Sequence, residues 1–372
     1  MQDWIQERLA KIDGLYPPER LAKSKERWRR LWAGEEALDR YPVVFYPLAL
    51  GYYDIGPTDD RIRRYLDEFI WRGRLEDDFI PAFFPGCHQG TIPGMFGAKP
   101  LVINGDTSCE RLIFEAEDIE RLPEPAIRPG MVAYDWLETE QYFMTETGGR
   151  LPCNVTDMQG PADVSGQLWG YDNLLAAAYM DPESYRAIMG KATEAFILLW
   201  RRQMEVVGEG HFVGTHLWGW NWVPQGNGAT ASVDSMVMVS PSYFMEHMEP
   251  YLARIAEAFG GLTIHSCGDF AHLVPELGKM PYLRGINAGE MSVRAMVDAG
   301  LDKRLVIIAG ATMDNVEESF GYIRKEGVRV CLSANIWAVP SGKAGQPALW
   351  NEDDWKGVRA NAERVLELAC IV

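Results

Sequence analysis

Short runs of apolar, β-branched and aromatic residues alternate along this chain with longer stretches of helical periodicity. The runs predict strands at 41–50, 78–84, 153–159, 212–218, 261–267, 283–288, 304–310 and 327–333. Helical spacing falls between most of them, at 61–73, 172–180, 182–207, 241–259, 269–279, 291–299, 314–325 and 351–369. Asp181-Pro182 and Ser240-Pro241 are start signals: a side-chain oxygen caps the first amides, and a proline suits a turn that needs no N–H. A further amphipathic helix is predicted over 18–33, and its Arg27-Trp28-Arg29-Arg30 run reads as a solvated face.

Eight strands in strand–helix alternation predict an α/β chain folded as a single (β/α)₈ TIM barrel over 1–372, with 1–40 as an N-terminal helical extension. An open doubly wound sheet is disfavoured, because no G-x-G-x-x-G follows the first strand. The stretch 85–150 is long for one connection. Its glycines at 86, 90, 94 and 97 and the β-like run 99–103 predict an excursion over the barrel mouth after strand two.

Composition narrows the function classes. The 372 residues carry a formal net charge of −17, which argues against nucleic acid or an anionic membrane surface as partner. No apolar run reaches the roughly 18 residues of a membrane span, and the polar start Met1-Gln2-Asp3-Trp4 lacks a signal-peptide core. The six cysteines, at 87, 109, 153, 267, 331 and 370, form no C-x-x-C pair. The expectation is a cytoplasmic protein with reduced thiols, which suit metal binding or catalysis better than cross-linking.

The candidate chemistry gathers at predicted strand ends, where barrels place reacting groups. In Leu262-Thr263-Ile264-His265-Ser266-Cys267-Gly268, residues i and i+2 of a strand share a face, so His265 and Cys267 present an imidazole and a thiol together. Both are zinc ligands. Cys331, on the last strand, is either a third ligand leaving an open fourth position or a small buried core residue. Cys87-His88 is a rival pair, but adjacent residues on an extended chain point apart.

His216, Trp218 and Trp220 alternate on one face, as a ligand-stacking wall or a packed rim cluster. Asp157 and Gln159 end strand three and Asn287 ends strand six; all three are candidate substrate-binding residues, with Trp218 and Trp220. Asp234 is a ligand-binding carboxylate or a turn residue, and Glu290 a fourth metal ligand or an acid/base group; with His216 they are the candidate catalytic residues.

Several of these segments together resemble the uroporphyrinogen decarboxylase superfamily. Gln159-Gly160-Pro161 with Leu168-Trp169-Gly170, Asp181-Pro182-Glu183, Ser240-Pro241, Glu249-Pro250-Tyr251 and His265-Ser266-Cys267-Gly268 fall in that family's order. Gly90-Thr91, Phe96-Gly97 and Glu117-Asp118-Ile119 fit its earlier part, so the likeness runs from about 40 to 335. It implies a (β/α)₈ barrel. True decarboxylases hold a polyanionic porphyrinogen with an arginine-rich segment after strand one and an aspartate after strand two. Here those places read Tyr46-Pro47-Leu48-Ala49-Leu50-Gly51 and Phe83-Phe84-Pro85-Gly86. A polyanion would lack its cations.

The chain is closer to the cobamide-dependent (methylcobalamin) methyltransferase branch, whose His-x-Cys pair and distant cysteine bind zinc. His265 and Cys267 match the pair, whereas Cys331 lies within a strand where that branch places a Gly- and Pro-rich turn. The resemblance implies a zinc-dependent transfer of a methyl group between a small thiol or methoxy/N-methyl compound and a corrinoid on a partner protein. Two alternatives stand beside it. One is a metal-independent decarboxylase or lyase acting on another carboxylic acid. The other is a non-catalytic corrinoid- or tetrapyrrole-binding subunit.

Overall fold

The computed structural model describes residues 2–35, 38–46, 59–213, 221–337 and 347–371. In chain order its strands are β1 (Val43–Phe45), β2 (Pro100–Ile103), β3 (Asp106–Cys109), β4 (Cys153–Asn154), β5 (Phe212–Val213), β6 (Ala229–Ser232), β7 (Leu262–His265), β8 (Leu283–Asn287), β9 (Val306–Thr312) and β10 (Arg329–Asn335). Six of them form one parallel sheet in the order β1-β10-β9-β8-β7-β6. The remaining arc is thinner. β4 pairs with β5 in parallel, and single bridges join Phe83 to Cys153 and Gln159 to Ser232. Asp78 N–H donates to the Val43 carbonyl at 2.8 Å, linking β1 to the segment that leads to Phe83. The architecture is thus TIM-barrel-like, with no continuous eight-stranded ladder among the described residues.

Alternation along the strands separates two apolar layers, because successive side chains of a strand face opposite ways. Val43, Phe45, Ile307, Ala309, Val330, Leu332 and Ala334 pack outward against the surrounding helices. Val44, Val306, Ile308 and Cys331 point inward, into a second cluster shared with the N-terminal helices. Those helices, α1 (Asp3–Leu15) and α2 (Pro18–Ala33), close one end of the strands. Trp32 lies against Gly285, where any Cβ would meet its ring at 2.9 Å. The chain therefore carries glycine where the tryptophan enters.

The Arg27-Trp28-Arg29-Arg30 run departs from the expected solvated face. Trp28 is fully buried and its Nε1 donates to the Asp78 carbonyl at 2.9 Å, while Arg27 Nη1 donates to the buried Asp78 carboxylate at 2.7 Å. Only Arg29 and Arg30 turn outward, to Glu26 and Glu35. The period was right, but the arginine sits at the edge of the apolar stripe and satisfies a buried carboxylate.

The expected excursion after strand two is present. It contains the antiparallel pair β2–β3 and the helix Val132–Thr147. The predicted long helices occur at Asp59–Arg72, Tyr171–Met180, Pro182–Val207, Val316–Glu326 and Glu352–Ala369. The one expected over 241–259 contains a π-helical segment, Phe244–Met248, between two α-helical parts. Among the described residues, no helix is long and apolar enough to cross a membrane.

Candidate metal centre

β7 ends in His265, and the chain stays extended long enough for Cys267 to share its face. The imidazole is 3 % exposed, whereas Cys267 lies open at the rim. His265 Nε2 and Cys267 Sγ are 3.2 Å apart. A third donor comes from the neighbouring strand. β6 is held between β7 and the 158–160 segment: Val233 N–H donates to the His265 carbonyl at 2.7 Å and Ser232 N–H to that of Met158 at 2.9 Å. The chain then turns, and Asp234 Oδ1 accepts from the Cys267 N–H at 2.7 Å and stands 3.8 Å from His265 Nε2. Asp234, His265 and Cys267 each bring one ligand atom within 4.8 Å of the others.

The tautomer of His265 follows from its other side. Asn287, at the end of β8, accepts with Oδ1 from the Gly289 N–H at 3.3 Å, which fixes the amide's orientation. The same Oδ1 lies 2.8 Å from His265 Nδ1. Nδ1 must therefore carry the proton, and the Nε2 lone pair faces Cys267 and Asp234. Gly289 is required where it is: it has a positive φ, and a Cβ there would meet the Ser266 carbonyl at 2.3 Å. Its close approach brings Glu290 to the rim of the same cavity.

The electrostatics ask for a cation. Burial, then the negative charges of Asp234 and Glu290, push the Cys267 thiol up to about 12. Burial also raises the Asp157 carboxyl, opposed by a hydrogen bond from Ser232 Oγ at 2.9 Å and by nearby His265. The donor set fits a divalent metal. Tetrahedral zinc with nitrogen, sulfur and oxygen ligands at about 2.0–2.3 Å would set those atoms about 3.3–3.6 Å apart, close to the 3.2 and 3.8 Å that separate His265 Nε2 from its two neighbours. Three protein ligands leave one position open, the arrangement of catalytic rather than structural sites.

Cys331 does not join this group. Its thiol is fully buried in the inner apolar cluster and donates to Asn221 Oδ1 at 2.7 Å, and burial holds its pKa well above the usual thiol range. The third possible donor beside His265 and Cys267 is the carboxylate of Asp234, expected as a catalytic group, and not the Cys331 thiol. Asn287, expected at the substrate, lies 2.8 Å from His265 Nδ1 and also lines the adjoining cavity. Gln159 bridges to Ser232 and accepts from Gln167. His216, Trp218 and Trp220 lie outside the described residues. His88 is buried in its loop, with Nδ1 accepting from the Gly90 N–H at 2.9 Å.

Beside the trio opens a cavity of about 210 Å³, reached by Tyr46, Asn287, Glu290, Gly310 and Ser333 as well as His265 and Cys267. No protein-family model matches the chain, and no curated protein matches it. Among solved structures it is similar to a methyltransferase from Methanosarcina mazei. The superposition has a TM-score of 0.62 at 15% sequence identity and covers 92% of this chain and 98% of that one. At that identity the likeness shows a shared fold.

Sequence reasoning missed Asp163. It sits in the first turn of the helix Pro161–Trp169, fully buried, and its Oδ1 accepts from the Ser235 N–H at 2.8 Å. That bond anchors the turn carrying Asp234. Its only signal was a carboxylate two residues after Gly160-Pro161, where a cap would also be read.

Proposed function

We propose that this chain is a metal-dependent methyltransferase that moves a methyl group between a small substrate and a corrinoid held by a partner protein. The observation that carries the reading is the meeting of Asp234, His265 and Cys267 at adjacent strand ends, beside a cavity of about 210 Å³. The overall likeness to a methyltransferase agrees with it. An apolar cavity of about 150 Å³ takes benzene, so this one has room for a single ring-sized molecule. A corrinoid macrocycle is far larger and stays outside, on its carrier.

Asp234, His265 and Cys267 would hold the metal. A divalent cation there supplies Lewis acidity, which lowers the pKa of a thiol or polarises the heteroatom of a methyl donor. The chain's own groups do the rest. Asn287 keeps the proton on His265 Nδ1, so that Nε2 stays a donor. Asp163 and the Cys267 N–H hold the Asp234 turn in place. Glu290 stands exposed at the rim of the cavity, away from the protein interior.

The test is metal content of purified protein together with methyl transfer from added methylcobalamin to small thiols, followed by absorbance. Wild type should bind about one zinc per chain and turn over. Cys267→Ala should lose both, while Cys331→Ser should keep its zinc. Absence of zinc in wild type, or equal zinc in wild type and Cys267→Ala, removes the reading.

A further inference from the structure

The cavity beside the metal trio is uneven in charge. The described residues that reach it are polar, apolar or acidic, and none is lysine or arginine. Among those described residues, the one charged side chain besides the proposed metal ligands is that of Glu290, exposed at the rim. Charge counting sharpens this. A divalent cation held by one thiolate, one carboxylate and a neutral imidazole makes a centre of zero net charge. Glu290 is then left as the uncompensated charge of the cavity wall. The chain as a whole is acidic, at −17, so its field also draws cations inward.

Shape adds a second constraint. Gly310 lines the cavity, and a Cβ there would stand 3.0 Å from the Tyr46 hydroxyl. The phenol therefore reaches over the β9 backbone to the cavity, and an aromatic ring there suits an ammonium group. A substrate lying between the metal and the rim has its reacting atom at Cys267 and its far end between Tyr46 and Glu290.

We infer that this site selects a small organic cation, an ammonium-bearing thiol or methylated amine, and disfavours anionic thiols such as those carrying a sulfonate or carboxylate. The inference rests on the methyltransferase reading and narrows its small thiol or N-methyl substrate to one that carries a positive charge. An anionic tail would face Glu290 with no described cation to meet it, whereas an ammonium meets a carboxylate and an aromatic ring.

The experiment loads the protein with cobalt(II) in place of zinc. It titrates 2-aminoethanethiol, 2-mercaptoethanol and 2-mercaptoethanesulfonate into wild type and Glu290→Gln, reading the near-ultraviolet sulfur-to-cobalt absorption. The three thiols ionise differently in solution, so the decisive quantity is the change in their affinity ratio between the two proteins. An exposed carboxylate is worth up to about fivefold in attraction or repulsion. The aminothiol-to-sulfonate ratio should therefore fall about tenfold on Glu290→Gln. An unchanged ratio, or tighter binding of the sulfonate than the aminothiol by wild type, overturns the inference and leaves the metal centre standing. Failure of wild type to bind cobalt removes the methyltransferase reading and this inference with it.

Discussion

The hydrogen bond between Asn287 and His265 makes the sharpest prediction. Replacing Asn287 with leucine keeps the branched shape of the side chain but removes the acceptor that His265 Nδ1 has among the described residues. Both residues are 3% exposed, so no water readily takes the amide's place. Leaving a buried N–H unpaired costs about 1–3 kcal/mol. The imidazole can escape part of that cost by moving its proton to Nε2 and turning Nδ1 into an acceptor. In doing so it loses the lone pair that faces Cys267 and Asp234. Either route weakens metal binding, and loss of such a supporting partner typically lowers affinity by about 10- to 100-fold.

Asn287→Asp is the informative companion. A carboxylate still accepts from Nδ1 and from the Gly289 N–H, so the tautomer is kept and the imidazole becomes a better donor. Zinc affinity measured by competition with a chromophoric chelator should rank Asn287→Asp at or above wild type and Asn287→Leu at least tenfold below it. Thermal unfolding with and without zinc should show the zinc-dependent gain in Tm shrinking for Asn287→Leu alone. Equal zinc affinity in wild type and Asn287→Leu would refute the tautomer argument.

Two further outcomes follow from the same geometry and from the N-terminal extension. In metal-free protein the Cys267 thiol is held up to about 12, by burial first and then by Asp234 and Glu290, so at pH 8 almost none of it is thiolate. Asp234→Asn removes one of those charges and lowers the pKa. The rate at which iodoacetamide labels the Cys267 peptide at pH 8 should rise several-fold, read by mass spectrometry, and an unchanged rate would show that Asp234 does not face the thiol. Trp28→Ala should destabilise the protein by about 3–5 kcal/mol in urea unfolding, because Trp28 is fully buried and donates to the Asp78 carbonyl; a loss under about 1 kcal/mol would mean that α2 is not part of the core.

What was legible in the sequence, and what was not, divides along a physical line. Local periodicity revealed the strand–helix alternation and the long helices. It also revealed His265 and Cys267, because two residues on one strand share a face whatever the rest of the fold does. β6 was invisible, since Ala229-Thr230-Ala231-Ser232 carries no large apolar residue and reads as a loop. With β6 went the placement of Asp234, which depends on the strand before it.

Cys331 shows why a ligand from a distant strand is harder still. By hydrogen-bonded register, His265, Asn287, Ile308 and Cys331 lie in one row across β7, β8, β9 and β10. In TIM-barrel-like sheets the strands are tilted by about 36°, so such a row slips along the axis by about one residue per strand. Three strands beyond β7 the slip is about three residues, roughly 10 Å of strand. Cys331 therefore faces the interior as the sequence implied, but a layer too deep, among Val44, Val306 and Ile308. Ser333, two residues on, is the β10 side chain that reaches the cavity. A donor from the adjacent strand suffers a slip of only one residue, which a turn absorbs. That is why the carboxylate following β6 meets the pair on β7 and the thiol on β10 does not.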